Sequence, residues 1–66
     1  MGKLYTLEIE NIYTSDRYDI KSFGHETREV HKHVLLNVIS QNERIVKMIL
    51  DDREVFHDSV GFITKK

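Results

Sequence analysis

Three side chains able to ligate a metal or move a proton fall at four-residue intervals: His25, Glu29 and His33. On a helix that spacing stacks them on one side, and two imidazoles with a carboxylate are a donor set for a divalent cation. The spacing departs from the His-Glu-x-x-His pattern, and a Glu with a His four residues on is also an ordinary solvent-facing pair. His31 falls near the middle of the apolar stripe Val30/Val34/Val38, where a histidine at a core margin with satisfied ring nitrogens is the plain expectation and a general base the sharper one. Buried neutral, it resists protonation and weakens the fold in acid. His57, on the last hairpin, reads either way. Asp51-Asp52, with Asp58 beyond, offers paired carboxylates, but adjacent aspartates between two apolar runs are turn formers first. Ser15, Ser22, Ser40 and Ser59 show no nucleophile signature, and three scattered glycines make no phosphate loop. These residues point to a protein that is not an enzyme and uses no cofactor.

The elements that must position them follow from periodicity. From Leu4 to Ile12 the chain alternates, Tyr5, Leu7 and Ile9 against Thr6, Glu8 and Glu10, which predicts a half-buried strand. Tyr13-Thr14-Ser15-Asp16 has turn chemistry and Tyr18 to Ser22 alternates again, predicting an opening hairpin. Over about residues 25–41 the period lengthens: Val30, Val34 and Val38, widened by Leu35 and Ile39, predict a helix with an apolar stripe. Arg44 to Leu50 is β-branched at its start and short, which favours a strand, although Ile45, Met48 and Ile49 also suit a helical turn. Asp51-Asp52-Arg53 then turns the chain so that Glu54 to His57 runs back antiparallel. Val60 to Ile63 either extends that strand past a bulge at Gly61 or forms a short extra one. The sum is an α+β fold, ββαββ, a single domain with an antiparallel sheet and one helix packed on one face.

Composition narrows the function. The chain has 66 residues and no Cys, so no disulfide, thiolate zinc site or cysteine nucleophile exists. It also has no Ala and many Ile and Val, which disfavours an all-helical domain. A net charge of −1 lacks the electrostatic footprint of a nucleic-acid binder. No apolar run approaches the roughly 20 residues that span a bilayer. Glu8 and Glu10 arrive too early for a secretory signal, so the expected location is the cytoplasm. A core this small is commonly supported by oligomerisation or a partner.

Two stretches carry resemblances. Ser15 to Val30 threads onto a helix-turn-helix, with Ile20 inward in the first helix, Gly24 in the turn and Val30 inward in the second. It is somewhat similar to the Rha-type regulators of bacteriophages, which implies DNA binding through Arg28, Lys32 and His33. Glu26 and Glu29 would then face phosphates, and Tyr18/Ile20/Ser22 alternate as a strand would. In the C-terminal half, Ile45-Val46-Lys47-Met48-Ile49-Leu50-Asp51-Asp52-Arg53-Glu54-Val55 resembles a segment of the Dmd family of antitoxins of T4-like phages. That resemblance implies a compact phage accessory protein, active in the host cytoplasm, that inhibits a host ribonuclease toxin by occupying it.

The residues thus predict a small non-catalytic protein-binding regulator or inhibitor, with a helix-turn-helix DNA binder as the alternative. Its partner is a host protein or a second copy. The candidate contacts are Tyr13, Tyr18, Asp51, Asp52, Arg53 and Phe56, the aromatics as anchors and the charged tip as a polar rim. A sheet covered on one side only is expected to leave Leu4, Thr6, Ile45 and Ile49 on a partly apolar open face. Exposed strand edges offer a second route, through strand addition.

Overall fold

The computed structural model describes residues 2–63. Five strands and one helix follow in the order β1 (Lys3–Asn11), β2 (Arg17–Gly24), α1 (Thr27–Asn37), β3 (Glu43–Leu50), β4 (Arg53–His57) and β5 (Gly61–Phe62). The sheet is antiparallel throughout and ordered β2-β1-β3-β4-β5. β1 therefore lies between β2 and β3, which are each antiparallel to it and run parallel to one another with α1 as their crossover. The α+β architecture with one helix on one face is as the alternation and period change predict. The difference is β5, a two-residue fifth strand that Gly61 enters at φ +96, a backbone angle suited to glycine.

The core lies between α1 and one sheet face. Tyr5, Leu7 and Ile9 of β1 meet Val30 and Val34 of α1, Ile45, Met48 and Leu50 of β3, and Phe56 of β4. Burying Leu7, Ile9 or Met48 in full stabilises the fold by about 1.5–3 kcal/mol each. Tyr5 is buried with its hydroxyl accepting from Thr27 Oγ1 at 3.3 Å, so its polar tip is satisfied at the first turn of α1. Close approach of α1 to the sheet depends on Gly24: a Cβ there would lie 2.2 Å from Cγ2 of buried Val30.

Two bulges decide which side chains reach that core. Between β1 and β3 the register shifts so that Glu8 faces Lys47 but Ile9 faces Ile45, leaving Val46 as the extra residue. Strict alternation from Met48 would turn Ile45 outward; the bulge turns it inward. This corrects one member of the partly apolar open face expected from Leu4, Thr6, Ile45 and Ile49: Ile45 is buried in the core, while Thr6 and Ile49 pair on the side away from Leu7 and Met48 and Leu4 is exposed. A second shift makes Val55 the extra residue of β4, so that Phe56 faces Met48 and Glu54 faces Ile49.

The helix is shorter than the predicted 25–41. Glu29 begins it by accepting the backbone N–H of His25 (2.7 Å) and of Glu26 (3.3 Å) at one carboxylate oxygen. At the other end the Val34 carbonyl accepts both Val38 and Ile39 N–H groups, and the chain turns away as Glu43 Oε1 takes the N–H of Ser40. Val38, expected in the apolar stripe, is consequently the C-cap and half exposed, while Ile39 folds back onto the core.

Candidate protein-docking surface

Some of the side chains with catalytic or ligating potential are put to structural use, whereas between β4 and β5 His57 Nδ1 meets Ser59 Oγ at 2.8 Å and Asp58 Oδ1 at 3.2 Å. Glu29 spends its carboxylate on the start of α1, and those N–H groups hold its pKa below the ordinary 4.5, with the nearby His25 and His33 adding to the effect. Among the described residues no three His, Cys, Asp or Glu side chains converge to hold a metal ion. His31 joins a ring cluster: its centroid lies 4.7 Å from Phe56 and 5.2 Å from Phe62, which lie 5.0 Å from each other, and the Arg28 guanidinium covers Phe62 at 4.3 Å. Burial in this cluster pushes the imidazole below its usual 6.5, because the charged form is the harder to desolvate. Asp51 and Asp52 both have positive φ (52 and 64) between paired Leu50 and Arg53, the two-residue hairpin geometry of a type I′ turn.

The open face of the sheet is a charge lattice. Arg44 reaches Glu10 Oε1 through Nε (2.8 Å) and Nη2 (2.6 Å), while Arg17 reaches Glu10 Oε2 through the same two nitrogens at 3.2 Å. The lattice continues from Arg44 to Asp58, from Arg17 to Glu8 and from Lys47 to Glu8. Glu10, only 9% exposed, keeps a pKa below its ordinary value because Arg44 first and Arg17 second donate to it. These ion pairs tie β1 to both of its neighbours, β2 and β3.

The predicted contact residues do not form one patch. Tyr13 crowns the β1–β2 turn at 76% exposure, above a loop in which the Asn11 side chain accepts the N–H groups of Tyr13 and Thr14. Tyr18 is partly exposed, and its hydroxyl donates to Glu43 Oε2 at 2.5 Å. That bond lowers the Glu43 pKa and raises that of Tyr18. Asp51, Asp52 and Arg53 are exposed at the β3–β4 tip. The register puts that tip at the opposite end of the sheet from Tyr13, because Ile49 pairs with Thr6 and Glu43 with Asn11. Phe56 is not on the surface at all: it belongs to the core, between Met48 and the His31 and Phe62 rings.

A concave surface with exposed apolar side chains lies elsewhere. A groove of about 400 Å³ runs between β2 and α1, floored by Val30, flanked by Phe23 and Leu36, and edged by His33, Glu29 and Lys32. Phe23 is 72% exposed and Leu36 66%. Neither was singled out by pattern, although Leu36 lies off the apolar stripe, which is the available signal for an outward-facing Leu. The segment Arg17–Phe23, threaded as the first helix of a helix-turn-helix, is strand β2, paired residue by residue with β1. The DNA-reading geometry that threading requires is therefore missing from this fold. No helix among the described residues is long and apolar enough to cross a membrane.

No protein-family model, curated protein or solved structure matches this chain. What the geometry defines is a small α+β domain with a two-sided sheet, packed on one side and ion-paired on the other, with an apolar groove between β2 and α1.

Proposed function

We propose that the protein is a non-catalytic protein-binding regulator or inhibitor. The observation that carries this reading is the groove between β2 and α1, where two large apolar side chains stand in solvent at its flanks. A helix or extended segment with one or two apolar anchors is the chemistry it suits, with Glu29 and Lys32 supplying a polar rim of both signs. A finer form is a phage accessory protein that blocks a host protein. It is supported by the likeness of Ile45 to Val55, here the β3–β4 hairpin, to the Dmd antitoxins. Asp51, Asp52 and Arg53 at that hairpin tip, with Tyr13 and Tyr18, remain its proposed polar and aromatic contacts.

Affinity capture from a host lysate tests the reading, using the wild type beside a Phe23→Ser/Leu36→Ser variant shown by circular dichroism to be folded. A stoichiometric partner held by the wild type and lost with the variant is expected. Capture no better than background, or equal capture by both proteins, would overturn it.

A further inference from the structure

The two edges of the sheet differ in kind. β5 ends one side with two residues, whereas β2 ends the other with eight residues in unbroken register against β1. The Asn11 N–H donates to the Asp16 carbonyl at 2.9 Å, and in an antiparallel ladder such bonded pairs recur at every second residue. Continuing the register, Tyr18, Ile20, Ser22 and Gly24 spend their backbone groups on β1. Arg17, Asp19, Lys21 and Phe23 therefore direct their N–H and C=O groups out of the sheet edge. The strand has no proline and no bulge to blunt it.

We infer that this edge pairs with β2 of a second copy, antiparallel about a two-fold axis at Ile20, to form a dimer with one continuous sheet. An isologous contact must complement itself, and the side chains of β2 do so in one long register. Centred on Ile20, it sets Asp19 opposite Lys21 twice over, Tyr18 opposite Ser22, and exposed Phe23 opposite Arg17. It also joins Arg17, Asp19, Lys21 and Phe23, the residues whose backbone groups are free. Centring on Asp19 would oppose the two Asp19 carboxylates and set Arg17 against Lys21. Centring on Lys21 would oppose the two Lys21 ammonium groups. Both are penalised by like charge. Among the described residues Asp19 has no ion-pair or hydrogen-bond partner, and Lys21 has only the Thr6 hydroxyl at 3.2 Å. The two charges that would select the register are thus available to do so. Phe23 belongs both to this edge and to the groove, but Asp19 and Lys21 do not line the groove, so substitutions at those two residues test the edge alone.

Sedimentation equilibrium of the full chain over a range of concentrations tests this, with two charge variants. Asp19→Lys alone and Lys21→Asp alone each weaken dimerisation about tenfold or more, because two attractive pairs become repulsive. An equimolar mixture of the two variants restores a dimer, since each then meets its opposite. Amide exchange at Asp19 and Lys21 slows as wild-type concentration rises, while exchange at the β5 edge does not change. A wild type that stays monomeric overturns the inference, as does a dimer indifferent to both substitutions. Protection of these amides only when a different protein is added would also overturn it and would assign the edge to a foreign strand.

Discussion

Beneath α1, Tyr5, Leu7, Ile9 and Met48 are cut off from water. On the opposite side of the same two strands Glu8, Glu10, Arg44 and Lys47 hold one another in ion pairs. The apolar side supplies the free energy, at roughly 25 cal/mol for each Å² removed from water. The charged side contributes less per contact, because partly exposed ion pairs are offset by desolvation and side-chain entropy. What it adds is position. Glu8 pairs with Lys47, and Glu10 takes Arg17 from one neighbour strand and Arg44 from the other. A one-residue slip would break these pairs and turn the apolar set outward. The contrast teaches that one side of this sheet sets stability and the other sets register.

The comparison is broken most severely from the apolar side. Met48→Ala leaves a cavity under α1 and lowers unfolding free energy by about 2–5 kcal/mol. Urea denaturation measures it, and a loss below about 1 kcal/mol would mean that the core closes around the gap. Gly24→Ala acts on the same face by overpacking, since its new methyl group meets Val30 at 2.2 Å. A cost of about 1–3 kcal/mol is expected, with part of it recovered in Gly24→Ala/Val30→Ala. Strict additivity of the two substitutions would show that the clash is relieved elsewhere.

From the charged side, Glu10→Ala leaves Arg17 and Arg44 facing each other and lowers the melting temperature by less than Met48→Ala does. Its distinguishing mark is salt: the gap between variant and wild type narrows in added sodium chloride, whereas that of Met48→Ala does not. Acid separates two further contributions. The Glu10, Glu29 and Glu43 carboxyls titrate below their ordinary 4.5 in the fold, so their share of stability is full above that value and is lost as pH falls through the lower folded-state values. His31 is depressed by burial below its ordinary 6.5. The unfolded chain therefore takes up that proton first, and stability declines as pH falls from 6.5 towards the folded-state value. Melting at about pH 7.5 and about pH 5.5 should show a drop that His31→Phe reduces. An unchanged drop would assign the loss to another group.

The smallest effect touches neither face. Asp52→Gly at the β3–β4 tip relieves a non-glycine residue at φ 64 and completes an Asp-Gly type I′ turn, for a gain of about 0.5–1 kcal/mol. A loss in thermal melting would mean that the Asp52 side chain does something for the fold beyond turning it.

Much of this was legible along the chain. Tyr5, Leu7 and Ile9 announced the first strand by alternating with Thr6, Glu8 and Glu10, and Asp51-Asp52 announced the hairpin. The period change at Val30 and Val34 announced one helix. The end of that helix was not legible, because it is set by Val34, Ser40 and Glu43 hydrogen bonds to chain that must already have turned. Ile45 lies in the core rather than on the open face because a bulge shifts parity, and alternation carries no mark of it; Phe56, offered as an anchor for its aromatic ring, is part of the core. The groove escaped notice because Phe23 and Leu36 become neighbours only when α1 lies along β2.

The sequence by itself determined the class of fold, the single helix, the hairpin tip and the absence of cysteine chemistry. These depend on residue type and on periods of two and 3.6, which are local. Tertiary structure alone decided that Glu10 would sit between two arginines, that His31 would lie among Phe56, Phe62 and Arg28, and that β2 would be the free edge. Those depend on which strands become neighbours and in what register, a property of the whole chain closing on itself rather than of any segment within it.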